Sequence, residues 1–390
     1  METIEKILTS KVSEILPEKK GLRELMERKK IRLYLGIDPT GTKLHLGHTI
    51  PLRKLQEFAD LGHEAILIIG TGTVLAGDPS QRKETRSTIT AREIENNIAS
   101  WKKQAGKILD FNKIQIKYNG EWLLKLSIKD IINIAAKVSA TQLFKREMFQ
   151  ERIKKGDTVW FHETLYPLLQ GYDSVAMDVD LEIGGTDQKF NMLIGRDLQK
   201  KINNKEKYVL TTPLILGTDG QPMSKSSNNC IWLDDLPKEM YGKIMSIADA
   251  QIAQYWSNLT ELDLVKLTAL KPFDAKKALA KEIVRMYHGE SEAEKAEKEF
   301  QSVVQEKQTP KVLPTVPFTS GVTVATMLVN TNLAGSMSEA KRLVNQGAVS
   351  GTVSINDLSF EKITDPNKKP SDNFILKKGN REFIKIEIKK

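Results

Sequence analysis

The chain has 390 residues, 40% of them hydrophobic and 28% charged, with a formal net charge of +9. That length accommodates two or three domains with a sizeable core, and the composition is that of a soluble globular protein. No apolar run nears the ~20 residues that cross a bilayer. The first residues lack a signal-peptide core, and the single cysteine, Cys230, speaks against a disulfide framework and for a reducing cytoplasm.

In chain order, apolar runs at residues 32–37 (RLYLGI), 65–70 (AILIIG), 113–118 (KIQIKY), 179–184 (VDLEIG) and 208–216 (YVLTTPLIL) read as strands. Amphipathic stretches at 47–61, 90–109 and 186–200 lie between them. This alternation predicts an α/β fold with a parallel sheet covered by helices, its ligands bound beyond the carboxyl ends of the strands. A helical, highly charged region from 233 to 305 follows, with AKKALAKEIVRMYHG ending at a glycine stop. EKQTPKVLPTVPFTS, with three prolines, predicts a linker. The expected division is a catalytic domain at 1–232, a helical domain at 233–305, a linker at 306–319 and a small α+β domain at 320–390. From Ser320 to Lys390 eleven Lys and Arg face seven Asp and Glu. Such a basic end suits either solubility or RNA.

Four stretches carry chemistry. In YLGIDPTGTKLHLGHTIPLRKL (residues 34–55) a strand gives way to a Pro/Gly turn, and a helix opens near Gly47. His45 and His48 then stand beside the exposed amides of a helix N-terminus, a ready anion site. Read alone, they are also possible metal ligands or ordinary helix-start residues. FHETLYPLLQGYDSVAM (161–177) puts Tyr166, Gln170 and Asp173 at i, i+4 and i+7, one face of a largely apolar helix, which suits a lined pocket. EIGGTDQKFN (182–191) is a strand, a glycine pair and a helix start, and AGDPSQRKETR (76–86) is a turn with clustered cations. GQPMSKSSNN (220–229) reads as a mobile loop with one cation, Lys225.

Together, in this order, these stretches resemble the class I aminoacyl-tRNA synthetases: HLGH resembles their HIGH signature and PMSKS their KMSKS loop. YLGIDPT, GDPS, YPLLQGYDS and GGTDQKFN are similar to the tyrosyl-tRNA synthetases of bacterial or organellar type. The final domain, with MSEAKRLVNQGAVS, resembles an alpha-L RNA-binding module. The resemblance spans essentially the whole chain. It implies a Rossmann-like catalytic domain and a two-step reaction: tyrosine and ATP give tyrosyl-adenylate and pyrophosphate, and tyrosine then passes to the terminal adenosine of tRNA(Tyr). The nearest alternative is a tryptophanyl-tRNA synthetase. Another is a non-catalytic RNA-binding protein derived from a synthetase.

The resemblance implies that Thr40 and His45 meet the γ-phosphate end, with Lys225, Arg82 and Arg86 joining them around pyrophosphate. Gly36, Asp38, Gly47, His48, Met223 and Ser224 would line the nucleotide, and Gly185 and Asp187 would hold its ribose. Asp78, Tyr166 and Gln170 match the ammonium site of tyrosine, Gln188 its carboxylate site, and Tyr34 with Asp173 the pair that bonds its phenol. Magnesium is expected to arrive with ATP, with no metal cage of the protein's own. Relatives are homodimers, and residues 125–150 are the expected contact. Two positions depart from the family: Leu35 puts one ribose contact in question, and Pro222 replaces the first lysine of the KMSKS-like loop.

Overall fold

Apolar strands that pair in parallel are buried on both faces, and the central strands here follow that rule. The computed structural model describes residues 2–78, 90–223, 227–302, 313–354, 357–379 and 382–389. Strands β1 (Glu14–Leu16), β2 (Arg32–Ile37), β3 (Glu64–Ile69), β4 (Ile114–Tyr118), β5 (Leu181–Gly185) and β6 (Tyr208–Thr212) form one sheet in the order β1-β6-β5-β2-β3-β4. All pairs are parallel except β1 with β6, where Glu14 faces Thr211. Leu33, Tyr34, Ile66, Ile68 and Leu181 carry no exposed surface at the centre of this sheet.

The predicted strands agree with these bounds to within a residue or two, except at two places. The run at 208–216 stops pairing in parallel at Thr212, because Pro213 has no N–H to donate. Strand β1 gave no signal in the sequence.

Helices α1 (Leu46–Asp60), α2 (Ala91–Ala105), α3 (Phe161–Met177) and α4 (Lys189–Asn203) connect the strands. Pro51 lies beyond the first turn of α1, so one intrahelical bond is lost there. Helices α3 and α4 approach through two glycines: a Cβ on Gly195 would lie 3.1 Å from the Gly171 Cα. Helices α5 (Pro237–Met245), α6 (Ile252–Leu259) and α7 (Pro272–His288) follow, and Gly289 takes the positive φ of +88° that a helix stop needs.

The chain forms two compact units, Met1–Tyr287 and His288–Lys390. The first therefore holds the sheet together with α5, α6 and nearly all of α7. The second starts with α8 (Glu290–Phe300) and contains a five-stranded sheet. Its strands are β7 (Thr315–Thr319), β8 (Val349–Ser354), β9 (Asp357–Lys362), β10 (Phe374–Lys378) and β11 (Glu382–Lys389), in the order β7-β11-β10-β8-β9. Residues 315–319, read from the sequence as linker, pair in parallel with β11. Pro317 is compatible with pairing there because β7 is an edge strand. Helices α9 (Val324–Asn330) and α10 (Met337–Asn345) cover this sheet, packing Met327, Leu328 and Val344 against Phe374, Leu376 and Ile386. Among the described residues no helix is long and apolar enough to cross a membrane.

Candidate active site

The strand order turns back at β2: β3 and β4 extend the sheet on one side, β5 and β6 on the other. Loops leaving β2, β3 and β5 therefore gather at one crevice, the usual place for a ligand in an open parallel sheet. Asp38 and Thr40 follow β2, Asp78 lies on the segment after β3, and Asp187 and Gln188 follow β5.

The turn after β2 is pinned from α2. Asn97 donates to the Pro39 carbonyl at 2.8 Å, and Gln104 both donates to Thr42 O and accepts from Leu44 N–H, each at 2.8 Å. This fixes where α1 begins. His45 is its N-cap: the Gly47 N–H donates to His45 Nδ1 (3.2 Å), and the His45 N–H donates to His48 Nδ1 (3.1 Å). The two imidazole rings lie with centroids 3.8 Å apart, tilted by 40°. A Cβ on Gly47 would lie 3.0 Å from the His45 ring, so a larger residue there would push the ring aside by a few tenths of an ångström.

The loop that follows β6 returns to this helix start. Leu46 N–H donates to Ile231 O (2.9 Å) and Leu233 N–H to Leu44 O (2.8 Å), so His45 and Trp232 face each other in a short antiparallel bridge. Asn229 closes the loop at its base, donating to Asp219 Oδ1 at 2.8 Å and to Pro222 O at 3.0 Å. Pro222 forms an isolated antiparallel bridge with Leu216. Met223 is half-buried. Ser224 and Lys225 lie outside the described residues, as do Arg82 and Arg86.

Deeper in the crevice the polar residues of α3 meet those of β2 and β5. Asp78 is buried; Gln188 donates to its Oδ2 at 2.8 Å, and Asn191 in turn donates to Gln188 Oε1 at 3.0 Å. Asp187 is exposed at the mouth, 3.1 Å from Gln188 Nε2, and a Cβ on Gly185 would meet its carboxylate at 2.4 Å. Gly36 is exposed at the end of β2. Asp38 accepts from Thr73 Oγ1 at 2.6 Å, while its Oδ2 is buried with no hydrogen-bond partner. Burial pushes this carboxyl up to about 7, helped by the nearby Asp78. Tyr166 is buried beside both acids, and burial raises its phenol well above the usual range.

Tyr34 and Asp173 are both buried. Asp173 accepts from Trp122 Nε1 (2.8 Å) and Asn119 Nδ2 (3.1 Å), and burial drives its carboxyl well above the carboxylate range. The Tyr34 hydroxyl shares a hydrogen bond with Ser174 Oγ at 2.9 Å, so Tyr34 and Asp173 are neighbours held by different partners. Gln170 donates to Glu182 Oε1 at 3.1 Å, leaving its own Oε1 buried without a partner.

Several residues here were not singled out from the sequence. Arg146 is buried 3.6 Å from Asp78, and its guanidinium lies against Phe149 and Phe190. Asn119 and Trp122 hold Asp173. Glu182 and Lys207 form a wholly buried ion pair. The available signal for the last two was a charge set within or beside an apolar strand, since such a strand buries a charge only when a partner meets it.

The chain matches, over residues 26–305, the family described as tRNA synthetases class I (W and Y). It is 42% identical to the tyrosine--tRNA ligase of Carboxydothermus hydrogenoformans, across 98% of this chain and 97% of that protein. It is 41% identical to the tyrosine--tRNA ligase of Thermotoga maritima, across 98% and 96%. Among solved structures it resembles a C-terminally truncated mitochondrial tyrosyl-tRNA synthetase of Aspergillus nidulans, with TM-score 0.63 and 22% identity over 77% of this chain and 93% of that one. It also resembles the Archaeoglobus fulgidus tyrosyl-tRNA synthetase complexed with L-tyrosine, with TM-score 0.61 and 23% identity over 76% and 99%. At those identities the structural likeness speaks to the fold.

Proposed function

We propose, for a chain that belongs to the tyrosyl-tRNA synthetases of class I, that the crevice beyond β2, β3 and β5 activates tyrosine with ATP and hands it to tRNA(Tyr). The supporting observation is convergence. Stretches far apart in sequence meet here: the start of α1 bonds to residues 231 and 233, Asp78 to Gln188, and Tyr34 to Ser174 beside Asp173.

The first step joins the tyrosine carboxylate to the α-phosphorus of ATP and releases pyrophosphate. The nucleophile is already ionised at neutral pH, so no general base is required. Rate enhancement comes from alignment and from neutralising charge on the leaving group. Thr40, His45 and the amides at the start of α1 receive the phosphate end of ATP, with Lys225, Arg82 and Arg86 completing the cation set. Gly36, Asp38, Gly47, His48, Met223 and Ser224 line the nucleotide, and Gly185 with Asp187 holds its ribose. Magnesium accompanies ATP as part of that substrate.

Tyrosine lies between α3 and the sheet. Asp78, Tyr166 and Gln170 take its ammonium group, supported by the partnerless Oε1 of Gln170 and Oδ2 of Asp38 in the same region. Gln188 adjoins the carboxylate, and Tyr34 with Asp173 bonds the phenol. A ligand without the hydroxyl leaves that buried pair unsatisfied, the physical basis of rejecting phenylalanine. Tyrosyl-tRNA synthetases are themselves a familiar illustration of selection by a buried polar group that the wrong substrate leaves unpaired. In the second step a ribose hydroxyl of the terminal adenosine displaces AMP.

Residues 320–390 serve tRNA binding, supported by their basic balance. The working unit is a homodimer in the cytoplasm. Exposed Leu124, Ile128, Ile132, Phe144, Trp160 and Phe161 favour a dimer contact in and around residues 125–150; Ile128 and Phe161 are each 78% exposed.

Amino-acid-dependent exchange of pyrophosphate into ATP tests the reading. Exchange is expected with tyrosine and at background level with tryptophan or phenylalanine. Exchange driven by tryptophan would overturn it.

A further inference from the structure

Beneath the tyrosine site lies an ion pair that the reaction does not use. Lys207 is 0% exposed and Glu182 is 2% exposed. Two buried charges cost much desolvation, and apolar side chains of similar volume fill such positions at equal or better stability. Stability alone therefore does not explain the pair. Space is made for it: a Cβ on Gly195 would come within 2.7 Å of Lys207 Nζ and 3.2 Å of Ser174 Oγ.

Its outward contacts end on two residues placed above against tyrosine. Lys207 Nζ donates to Ser174 Oγ at 2.7 Å, and Ser174 Oγ shares its bond with the Tyr34 hydroxyl at 2.9 Å. Glu182 accepts from Gln170 Nε2 at 3.1 Å. An ammonium group only donates and a carboxylate only accepts. Ser174 thus accepts from Lys207, and its own hydrogen is available to Tyr34. A Tyr34 oxygen that accepts from Ser174 has its hydrogen left to donate. Burial and the neighbouring Glu182 carboxylate raise this phenol, and Glu182 is the acceptor at hand until a substrate phenol oxygen takes that hydrogen. On the other side, a carboxylate at Glu182 draws the amino end of the Gln170 amide. The Gln170 carbonyl is then left buried and without a partner of its own.

We propose that Lys207 and Glu182 are positioning residues that set the hydrogen-bond polarity of the tyrosine site. Lys207, through Ser174, makes Tyr34 a donor to the substrate phenol oxygen, leaving the phenol hydrogen for Asp173. Glu182 makes Gln170 an acceptor for the substrate ammonium. The inference rests on the reading that Tyr34 and Gln170 touch tyrosine.

The test compares Lys207→Met, Glu182→Gln and Ser174→Ala with Tyr34→Phe as reference, in pyrophosphate exchange by the full chain. Lys207→Met is expected to lower the ratio of kcat/KM for tyrosine over phenylalanine about tenfold or more, with the KM for ATP within about twofold of the parent. Glu182→Gln is expected to weaken tyrosine about tenfold, while inhibition by 3-(4-hydroxyphenyl)propionate, which lacks the ammonium, changes less than about twofold. If Lys207→Met does not fold, Ser174→Ala decides, because it removes the relay hydroxyl and keeps the ion pair. An unchanged discrimination ratio in the folded variant, or equal losses toward tyrosine, phenylalanine and ATP, overturns the proposal. If Tyr34→Phe itself leaves the ratio unchanged, the reading of the tyrosine site falls and the inference falls with it.

Discussion

Asp38 shows how far burial governs this site. Its carboxyl is pushed to about 7 from an ordinary value of 3.8. Between those values the folded chain holds a proton that the unfolded chain has released. The folded state is thus favoured at the acid end, and that stability is lost as pH rises through the window. For the ligand-free protein the loss is on the order of 4 kcal/mol between pH 4 and 8. Asp38→Asn, neutral throughout, is expected to flatten this slope: near parity with the parent at pH 4.5 and greater stability at pH 8, read from urea unfolding. A variant less stable than the parent at pH 8 would show that the folded state favours the ionised carboxylate. At this scale the sequence revealed residues that present a polar group at regular helical spacing, such as Tyr166, Gln170 and Asp173. It concealed Arg146 and Lys207, whose partners come from distant strands and helices.

The contact between α3 and α4 depends on Gly171 and Gly195, and the Lys207 ammonium fills the space that remains. Gly195→Ala would put a methyl group 2.7 Å from that ammonium, which Glu182 and Ser174 hold in place. The expected cost is about 1–3 kcal/mol, seen as a lower urea midpoint with an unchanged slope. An unchanged midpoint would mean that Lys207 swings aside freely. Elements were more legible than contacts. Continuous apolar runs marked β2 to β5 because strands buried on both faces need them, and the starts of α1 and α2 were read to within a residue. Strand β1 escaped notice because its three residues pair only where β6 is already in place. Prolines made residues 315–319 look like linker, although an edge strand can include them.

For the whole molecule, the exposed apolar side chains Leu124, Ile128, Ile132, Phe144, Trp160 and Phe161 carry the proposed dimer contact. Ile128→Glu is expected to shift sedimentation velocity toward the mass of one chain and to weaken tRNA charging more than pyrophosphate exchange. Sedimentation as a dimer, unchanged from the parent, would move the contact elsewhere. The strand order has a further consequence, in time instead of space. Strands β2, β3 and β4 are consecutive in the chain and can pair as soon as they are made. Leu33 must wait for Leu181, and that long-range pairing carries a large loop-closure cost. Tyr34 and Asp38 are synthesised long before Asp173, Glu182 and Lys207. A nascent chain therefore has the start of α1, proposed to meet phosphate, before it has Asp173, Glu182 and Lys207, while the residues 231–233 that brace that start come later still. Tyrosine can favour the folded chain only after β5 has joined β2, so its stabilising effect acts on that late pairing.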